Sequence, residues 1–227
     1  MQAHRATVPA RLPSRVAAGN ASTGGDWDDD PVTVRARKKE LRAGLLAARR
    51  DLSVSTRAAA AASLTAAVLN LPEVLAAGTV AAYVSIGTEP ATAEVLNVLQ
   101  SRKVRVLLPV VRDDLDLDWA IYENRAQLSP ERLGLLTPVG PRLGLEGIAA
   151  ADLVLVPALA VAEDGTRLGR GGGCYDRALQ RVRPGVPVVA LLHDGELLPA
   201  VPAEPHDRKV SAVVTPQGVR RLGDGAG

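Results

Sequence analysis

The chain has 227 residues, with 27 Lys+Arg against 25 Asp+Glu for a net charge of +2. That length supports one sizeable domain, and the charge is too near neutral to hold nucleic acid or an anionic membrane by net charge alone. A single cysteine excludes an intramolecular disulfide and fits a reducing, cytoplasmic setting, while 2% aromatics and no Phe leave an aliphatic core without the stacking platforms that grip single-stranded nucleic acid.

Residues 1–31 carry Arg5, Arg11 and Arg15, a Gly/Ser/Asn/Thr patch and then Asp26, Asp28, Asp29 and Asp30, with no hydrophobic period. They read as a disordered extension. The basic, acid-poor start has the composition of a transit peptide, but Pro9 and Pro13 interrupt the amphipathic helix such a signal needs. Residues 32–222 are expected to form the domain and 223–227 a flexible tail. From Val34, RARKKELRAGLLAARRDLS predicts a helix with Leu41, Leu45 and Leu46 on one face. Lys38 and Arg42 are four residues apart on that helix, where like charges repel by roughly a few tenths of a kcal/mol unless an anion meets them. A solvated basic face is the plainer account. Ser53 or Ser55 caps a second, Ala-rich helix whose Leu64, Val68 and Leu71 pack on a sheet.

A β-branched run over 79–84, a helix over 91–102 and a strand over 104–108 make a right-handed βαβ unit. Glu89 then lies on the loop at the carboxyl end of a strand, the ligand edge of an open sheet, although a loop glutamate there, like Glu94, can simply be solvated. Residues 115–121 alternate apolar with polar as a half-exposed strand does, and 129–144 are a Pro/Gly-rich connection.

Leu153 to Pro157 is short and apolar enough for a buried parallel strand. Beyond it, Gly169, Gly171, Gly172 and Gly173 are followed by a helix-compatible segment opening at Cys174. Backbone N–H groups converge on an anion where no Cβ obstructs, and Arg167 and Arg170 add full charges, so strand, glycine loop and helix predict an anion site. A flexible loop whose glycines relieve strain is the alternative. The spacing satisfies neither G-x-x-x-x-G-K-[ST] nor G-x-G-x-x-G. Further strands are expected over 186–192 and 211–215, with His193 and His206 as local hydrogen-bonding residues. The fold class is α/β, a single-domain, open, mostly parallel sheet flanked by helices in a Rossmann-like three-layer arrangement.

The run Asp164-Gly-Thr-Arg167-Leu168-Gly169-Arg170-Gly171-Gly172-Gly173-Cys174-Tyr175-Asp176-Arg177 resembles the G-x-R-L-G-[YR]-G-x-G-Y-Y-D signature of the 5-formyltetrahydrofolate cyclo-ligases, also called 5,10-methenyltetrahydrofolate synthetases. Three further elements resemble the family in order. Lys38-Lys-Glu-Leu41-Arg42 with Arg50-Asp-Leu52-Ser53 is similar to its ATP-binding helix, which implies that Lys38 and Arg42 contact the nucleotide, with Lys39 a competitor. Tyr83-Val84-Ser85 with Glu89 and Thr92 is similar to its Y-x-S/P…E-x-x-T element, which implies that Glu89 accepts paired N–H groups from an amino-pyrimidine edge and that Val84 lines the same pocket. Val201-Pro202 with Asp207 and Val210 is similar to V-P-x-x-x-x-D-x-x-V, which implies Mg2+ on Asp207 and Asp176; taken alone, Asp176 would be a helix N-cap.

The resemblance implies ATP binding by Lys38, Arg42, Arg167, Leu168, Gly169, Arg170, Gly171, Gly172, Gly173, Cys174 and Tyr175. It implies catalytic roles for Arg170 and Tyr175, and substrate contacts from Val84, Glu89 and Tyr175. The expected reaction is an ATP- and Mg2+-dependent cyclisation of 5-formyltetrahydrofolate in a monomer acting on small molecules, without nucleic acid or membrane. The departures are Cys174 for an aromatic, Val161 near a Phe, Thr137 for a glutamate, and the segment from His193 to Glu196. Cys174, Val161 and the segment from His193 to Glu196 are expected to shrink or polarise the folate side of the pocket, while Thr137 lacks the carboxylate that the family carries there. A nucleotide- or folate-binding protein of the same fold without turnover, and a sugar-phosphate or acyl-CoA enzyme of similar sheet architecture, are the alternatives.

Overall fold

The computed structural model describes residues 30–131 and 134–223, so residues 1–29 of the expected extension and 224–227 of the expected tail lie outside it. Helix α1 (Pro31–Asp51) starts earlier than Val34, because the Asp30 side chain accepts from the Thr33 N–H at 3.3 Å and Pro31 fits the first helical position. The helix therefore opens at Pro31, the last residue of the expected extension. Helix α2 (Val54–Leu69) is capped by Ser53, whose hydroxyl accepts from the Thr56 N–H at 3.0 Å.

There follow α3 (Pro72–Ala76), β1 (Thr79–Ala81), α4 (Ala93–Ser101), β2 (Arg105–Val111) and β3 (Leu117–Tyr122). The Pro/Gly-rich connection holds a small hairpin, β4 (Leu128–Pro130) and β5 (Leu136–Pro138), where a plain loop was expected. The chain continues through β6 (Leu153–Pro157), β7 (Ala160–Ala162), β8 (Arg167–Leu168), α5 (Cys174–Ala178), β9 (Val188–Leu191), β10 (Leu197–Leu198), β11 (Ala212–Thr215) and β12 (Gly218–Arg221).

Seven strands form the main sheet in the order β12-β11-β9-β6-β1-β2-β3, parallel throughout except for the two edge strands β3 and β12. Alternation along β6 divides the core. Leu153 and Leu155 face the layer made by α2, α3 and α4, where the expected Leu64, Val68 and Leu71 are buried together with Leu96 and Leu99 of α4. Val154 and Val156 face Trp119, Ile148 and Leu179, a layer of α5 and 3-10 turns that is thinner than the helical layer a Rossmann-like fold suggests. In β3 the expected alternation fails at its end: Trp119 is fully buried, but Ile121 on the same face is exposed, because the 3-10 turn at Leu145–Ala150 covers Trp119.

Past β6, a second sheet of order β10-β7-β8 stands beyond the carboxyl ends of the parallel strands, and α1 docks on it through Leu41, Leu45 and Leu46. Burial of one such leucine stabilises by about 1.5–3 kcal/mol. A polar contact completes the docking. Arg49, 1% exposed, donates from Nε and Nη2 to the two oxygens of Glu196 at 2.6 and 2.8 Å, and from Nη2 to the Ala158 carbonyl at 2.6 Å. Glu196 also accepts the His193 N–H at 2.7 Å. The segment from His193 to Glu196 and Val161 of β7 are thus core and scaffold groups that do not line the cavity described below, which corrects their expected place on the folate side.

Breaking a buried pair from one side leaves an uncompensated charge and costs about 3–5 kcal/mol, whereas removing both charges is often close to neutral. Arg49→Met is therefore expected to lower unfolding stability in urea by that amount, and Arg49→Met with Glu196→Gln to recover most of it. Equal losses in the single and double variants would mean that the pair contributes through packing alone.

Candidate active site

β1 and β6 lie side by side, but the chain leaves them in opposite directions, from β1 to β2 and from β6 to β9 and β11. Their carboxyl ends form the topological switch point at which open α/β sheets hold ligands. A cavity of about 580 Å3 opens there. Every residue that the sequence assigned to a site lines it: Lys38, Arg42, Val84, Glu89, Arg167, Leu168, Gly169, Arg170, Gly171, Gly172, Gly173, Cys174, Tyr175, Asp176 and Asp207.

β1 stops short of its expected end at Val84, and Thr92 accounts for the difference. Its hydroxyl donates to the Tyr83 carbonyl at 2.7 Å and accepts the Ser85 N–H at 3.0 Å, while its own N–H meets the Ser85 hydroxyl at 3.2 Å. Backbone groups that would have continued the ladder are satisfied locally, and Tyr83 and Val84 become cavity wall. The following loop presents Glu89, whose Oε2 accepts the Ile86 N–H at 2.9 Å and whose Oε1 meets Arg170 Nε at 2.9 Å. Arg170 itself is half-exposed, so this ion pair joins the loop after β1 to the glycine loop at the rim.

The glycine loop is held from two elements. Arg42 of α1 donates from Nε to the Gly169 carbonyl at 2.9 Å, and Arg177 of α5 donates from Nη2 to the Gly172 carbonyl at 3.0 Å. Gly171 sits at φ +102°, a conformation L side chains rarely adopt, and a Cβ on Gly169 would stand 2.7 Å from Arg167 Nη1. The helix expected after this loop is only the five residues of α5 followed by a 3-10 turn, with Gly173 as its cap. Its dipole is accordingly small, and the cations available to the site are the side chains of Lys38, Arg42, Arg167 and Arg170. Arg167, 4% exposed, lies with its guanidinium 5.8 Å from the centre of the Tyr175 ring and donates from Nη2 to Asp176 Oδ1 at 2.6 Å.

Lys38 is buried and donates to Glu204 Oε2 at 2.9 Å and Asp207 Oδ2 at 2.6 Å, whereas Lys39 is exposed and does not line the cavity. The solvated-face account of the basic helix therefore fails at Lys38. The Lys38 ammonium, with Arg35 adding to it, holds the Glu204 carboxyl below its usual range. The Arg208 N–H reaches Asp176 Oδ1 at 3.4 Å, which places Asp176 beside the segment that carries Asp207. Glu204, His206 and Asp207 each offer one donor atom, all within 4.8 Å of one another. Glu204 was not found from the sequence; its only signal was an acid three residues before Asp207. Thr137, buried on β5, and Cys174 both line the cavity, and burial pushes the Cys174 thiol up, so it stays protonated rather than nucleophilic.

The model of the 5-formyltetrahydrofolate cyclo-ligase family matches residues 34–216. The chain belongs to this family of enzymes. A 5-formyltetrahydrofolate cyclo-ligase of Mycolicibacterium smegmatis is 41% identical over 185 residues, covering 79% of this chain and 94% of that protein. One from Escherichia coli K12 is 32% identical over 158 residues, covering 66% and 85%. The solved 5,10-methenyltetrahydrofolate synthetase of Aquifex aeolicus superposes with a TM-score of 0.73 at 29% identity, over 84% of this chain and 95% of that one. Among the described residues no single helix is long and apolar enough to cross a membrane.

All three tyrosines of this cyclo-ligase-family chain have their phenols pushed up, in each case first by burial: Tyr83 and Tyr175 strongly, Tyr122 less. In the unfolded chain they ionise near pH 10. The folded state thus binds more protons than the unfolded one as the pH rises through that value, so stability falls there and is unaffected below it. A spectrophotometric titration is expected to show little phenolate at about pH 10, followed by a cooperative rise on alkaline unfolding. Three phenols titrating independently near pH 10 in the folded protein would contradict their burial.

Proposed function

We propose that this chain cyclises 5-formyltetrahydrofolate to 5,10-methenyltetrahydrofolate, with ATP converted to ADP and phosphate and with Mg2+ required. The observation that carries the reading is the convergence on one cavity of the glycine loop, Lys38, Arg42, Asp176 and Asp207 with Glu89, drawn from opposite ends of the chain. The names of the M. smegmatis and E. coli relatives support the reaction, and the donor set supports the metal. Asp176 and Asp207 offer carboxylate oxygens from adjacent segments, as a small hard cation that keeps part of its water shell requires. They would hold Mg2+, with Glu204 beside them. When bound, the ion neutralises charge on the phosphate oxygens.

The formyl oxygen is a poor leaving group until it carries a phosphoryl group. It attacks the γ-phosphorus and ADP departs. N10 then attacks the activated carbon and loses its proton, and phosphate leaves with the former formyl oxygen. The protein's work is positional and electrostatic. Lys38, Arg42 and Arg167 with the amides of the glycine loop hold the phosphates, and Arg170 meets charge developing on the transferred group. Glu89 and Val84 orient the pterin. Tyr175 supplies a protonated phenol beside Arg167 and closes the wall between the two ligands. Cys174 takes no part as a nucleophile.

Mixing the protein with 5-formyltetrahydrofolate, Mg2+ and ATP is expected to raise methenyl-folate absorbance, with no rise without ATP or in the presence of a chelator. Arg170→Ala and Asp176→Ala are expected to lower kcat/KM by about 10²–10³-fold, the usual loss when one group stabilising transition-state charge is removed. ATP binding without any absorbance change would leave a ligand-binding protein of this fold in place of an enzyme.

A further inference from the structure

Among the described residues, three buried polar atoms of the cavity wall have no partner in the protein, and one of them, Arg167 Nε, belongs to the phosphate side already described. Arg49 Nη1 and the Tyr83 hydroxyl are both closed off from bulk solvent and make no hydrogen bond, although Arg49 and Tyr83 are 1% and 3% exposed and both line the cavity. Leaving such donors unmet is costly in a folded protein, so a matching acceptor is expected to complete them. Neither residue belongs to the glycine loop or to the cluster around Asp207.

The chemistry of that acceptor can be narrowed. The Arg49 charge is already balanced by both oxygens of Glu196. An anion placed against Nη1 would leave this buried corner net negative, which burial disfavours, so phosphate fits badly and a neutral oxygen fits well. Burial keeps the Tyr83 phenol protonated and able to donate. One carbonyl oxygen has two lone pairs and can take one N–H and one O–H. Tyr83 follows β1, which pairs with β6, and Arg49 meets the Ala158 carbonyl just past β6, so both donors stand at the same end of these two strands. The loop that carries Glu89 is tied to that corner, because the Thr88 carbonyl lies 3.0 Å from Nε2 of His193, whose N–H meets Glu196.

The pyrimidinone edge of 5-formyltetrahydrofolate presents two donors, the 2-amino group and N3–H, followed by one acceptor, the 4-oxo oxygen. A wall that offers the Glu89 carboxylate and then two donors complements that order. Resting on the function proposed above, we infer that Tyr83 and Arg49 form the 4-oxo subsite of the folate pocket, and so select a pterin carbonyl over the 4-amino group of antifolate-type analogues. A 4-amino group would place N–H against N–H and O–H. Sites built to hydrogen-bond a ligand group reject the analogue that lacks it far better than apolar pockets reject an extra atom.

Equilibrium binding of 5-formyltetrahydrofolate, of its 4-amino-4-deoxy counterpart and of ATP to wild type and Tyr83→Phe tests this. The hydroxyl has no protein partner, so Tyr83→Phe is expected to fold with unchanged or raised thermal stability. It is expected to bind 5-formyltetrahydrofolate about tenfold more weakly, to keep its ATP affinity within about twofold, and to discriminate less between the two folates. Unchanged folate affinity in Tyr83→Phe, or parallel loss of ATP and folate affinity in that variant, overturns the 4-oxo assignment while leaving the reaction standing. Failure of the wild type to bind 5-formyltetrahydrofolate overturns both.

Discussion

The buried ion pair between Arg49 and Glu196 fixes where α1 lies, and the site depends on α1. The helix packs on the small sheet by its leucines, but apolar contacts tolerate sliding, whereas a two-pronged pair of 2.6 and 2.8 Å inside the protein does not. From Arg49 the helix acts as a ruler. Arg42 lies seven residues back, about 10 Å along the axis, and Lys38 about 6 Å further. Those two steps carry one cation to the Gly169 carbonyl and the other to Glu204 and Asp207. A helix from one end of the chain thereby supplies charges to a cavity built at the switch point between β1 and β6.

Within the cavity, the groups proposed to meet ligands are paired with one another. Arg167 meets Asp176, Lys38 meets Asp207 and Glu204, and Arg170 meets Glu89. Unpaired, Lys38 and Arg167, each about 4% exposed or less, would carry a large desolvation penalty. Mutual pairing keeps the cavity lining close to neutral while holding both signs in place. In the proposed function, phosphate oxygens would take over the cations and a metal ion the carboxylates. The exchange keeps charge compensation roughly constant, so binding need not begin from an uncompensated buried charge.

Much of this was legible because it was local. Four glycines in five positions, the apolar run of β6, and the loop position of Glu89 are properties of short windows, and each led to the cavity. The helix after the glycine loop was over-read: Ala, Leu and Gln favour helix, yet Val182, Pro184 and Gly185 soon follow and α5 closes after one turn into a 3-10 segment. Glu196 was misread for a different reason. A sequence window shows it as a polar departure near a ligand site, and only the fold reveals that Arg49, 147 residues away, neutralises it. The strands β7, β8 and β10, of two or three residues each, likewise owe their pairing to tertiary context that no period of two can announce over so short a run.

In a chain without phenylalanine, one part of the cavity wall is aliphatic. Val111, Leu115, Leu117 and Leu136 line it, and Leu115 is held at φ +62°, a conformation that costs a residue with a Cβ about 1–3 kcal/mol. Two arginines maintain it. Arg177 donates from Nη2 to the Leu115 carbonyl at 2.6 Å, and Arg181 clasps both oxygens of Asp116 at 2.9 and 2.6 Å, which also holds the Asp116 carboxyl below its usual range. Because Arg177 simultaneously holds the Gly172 carbonyl, the aliphatic wall and the glycine loop share one fastening. The strain at Leu115 therefore reads as the consequence of tying two walls of one cavity at a fixed separation, with a partly buried ion pair offsetting it, and aliphatic side chains on a braced loop do what aromatic rings do where they are plentiful.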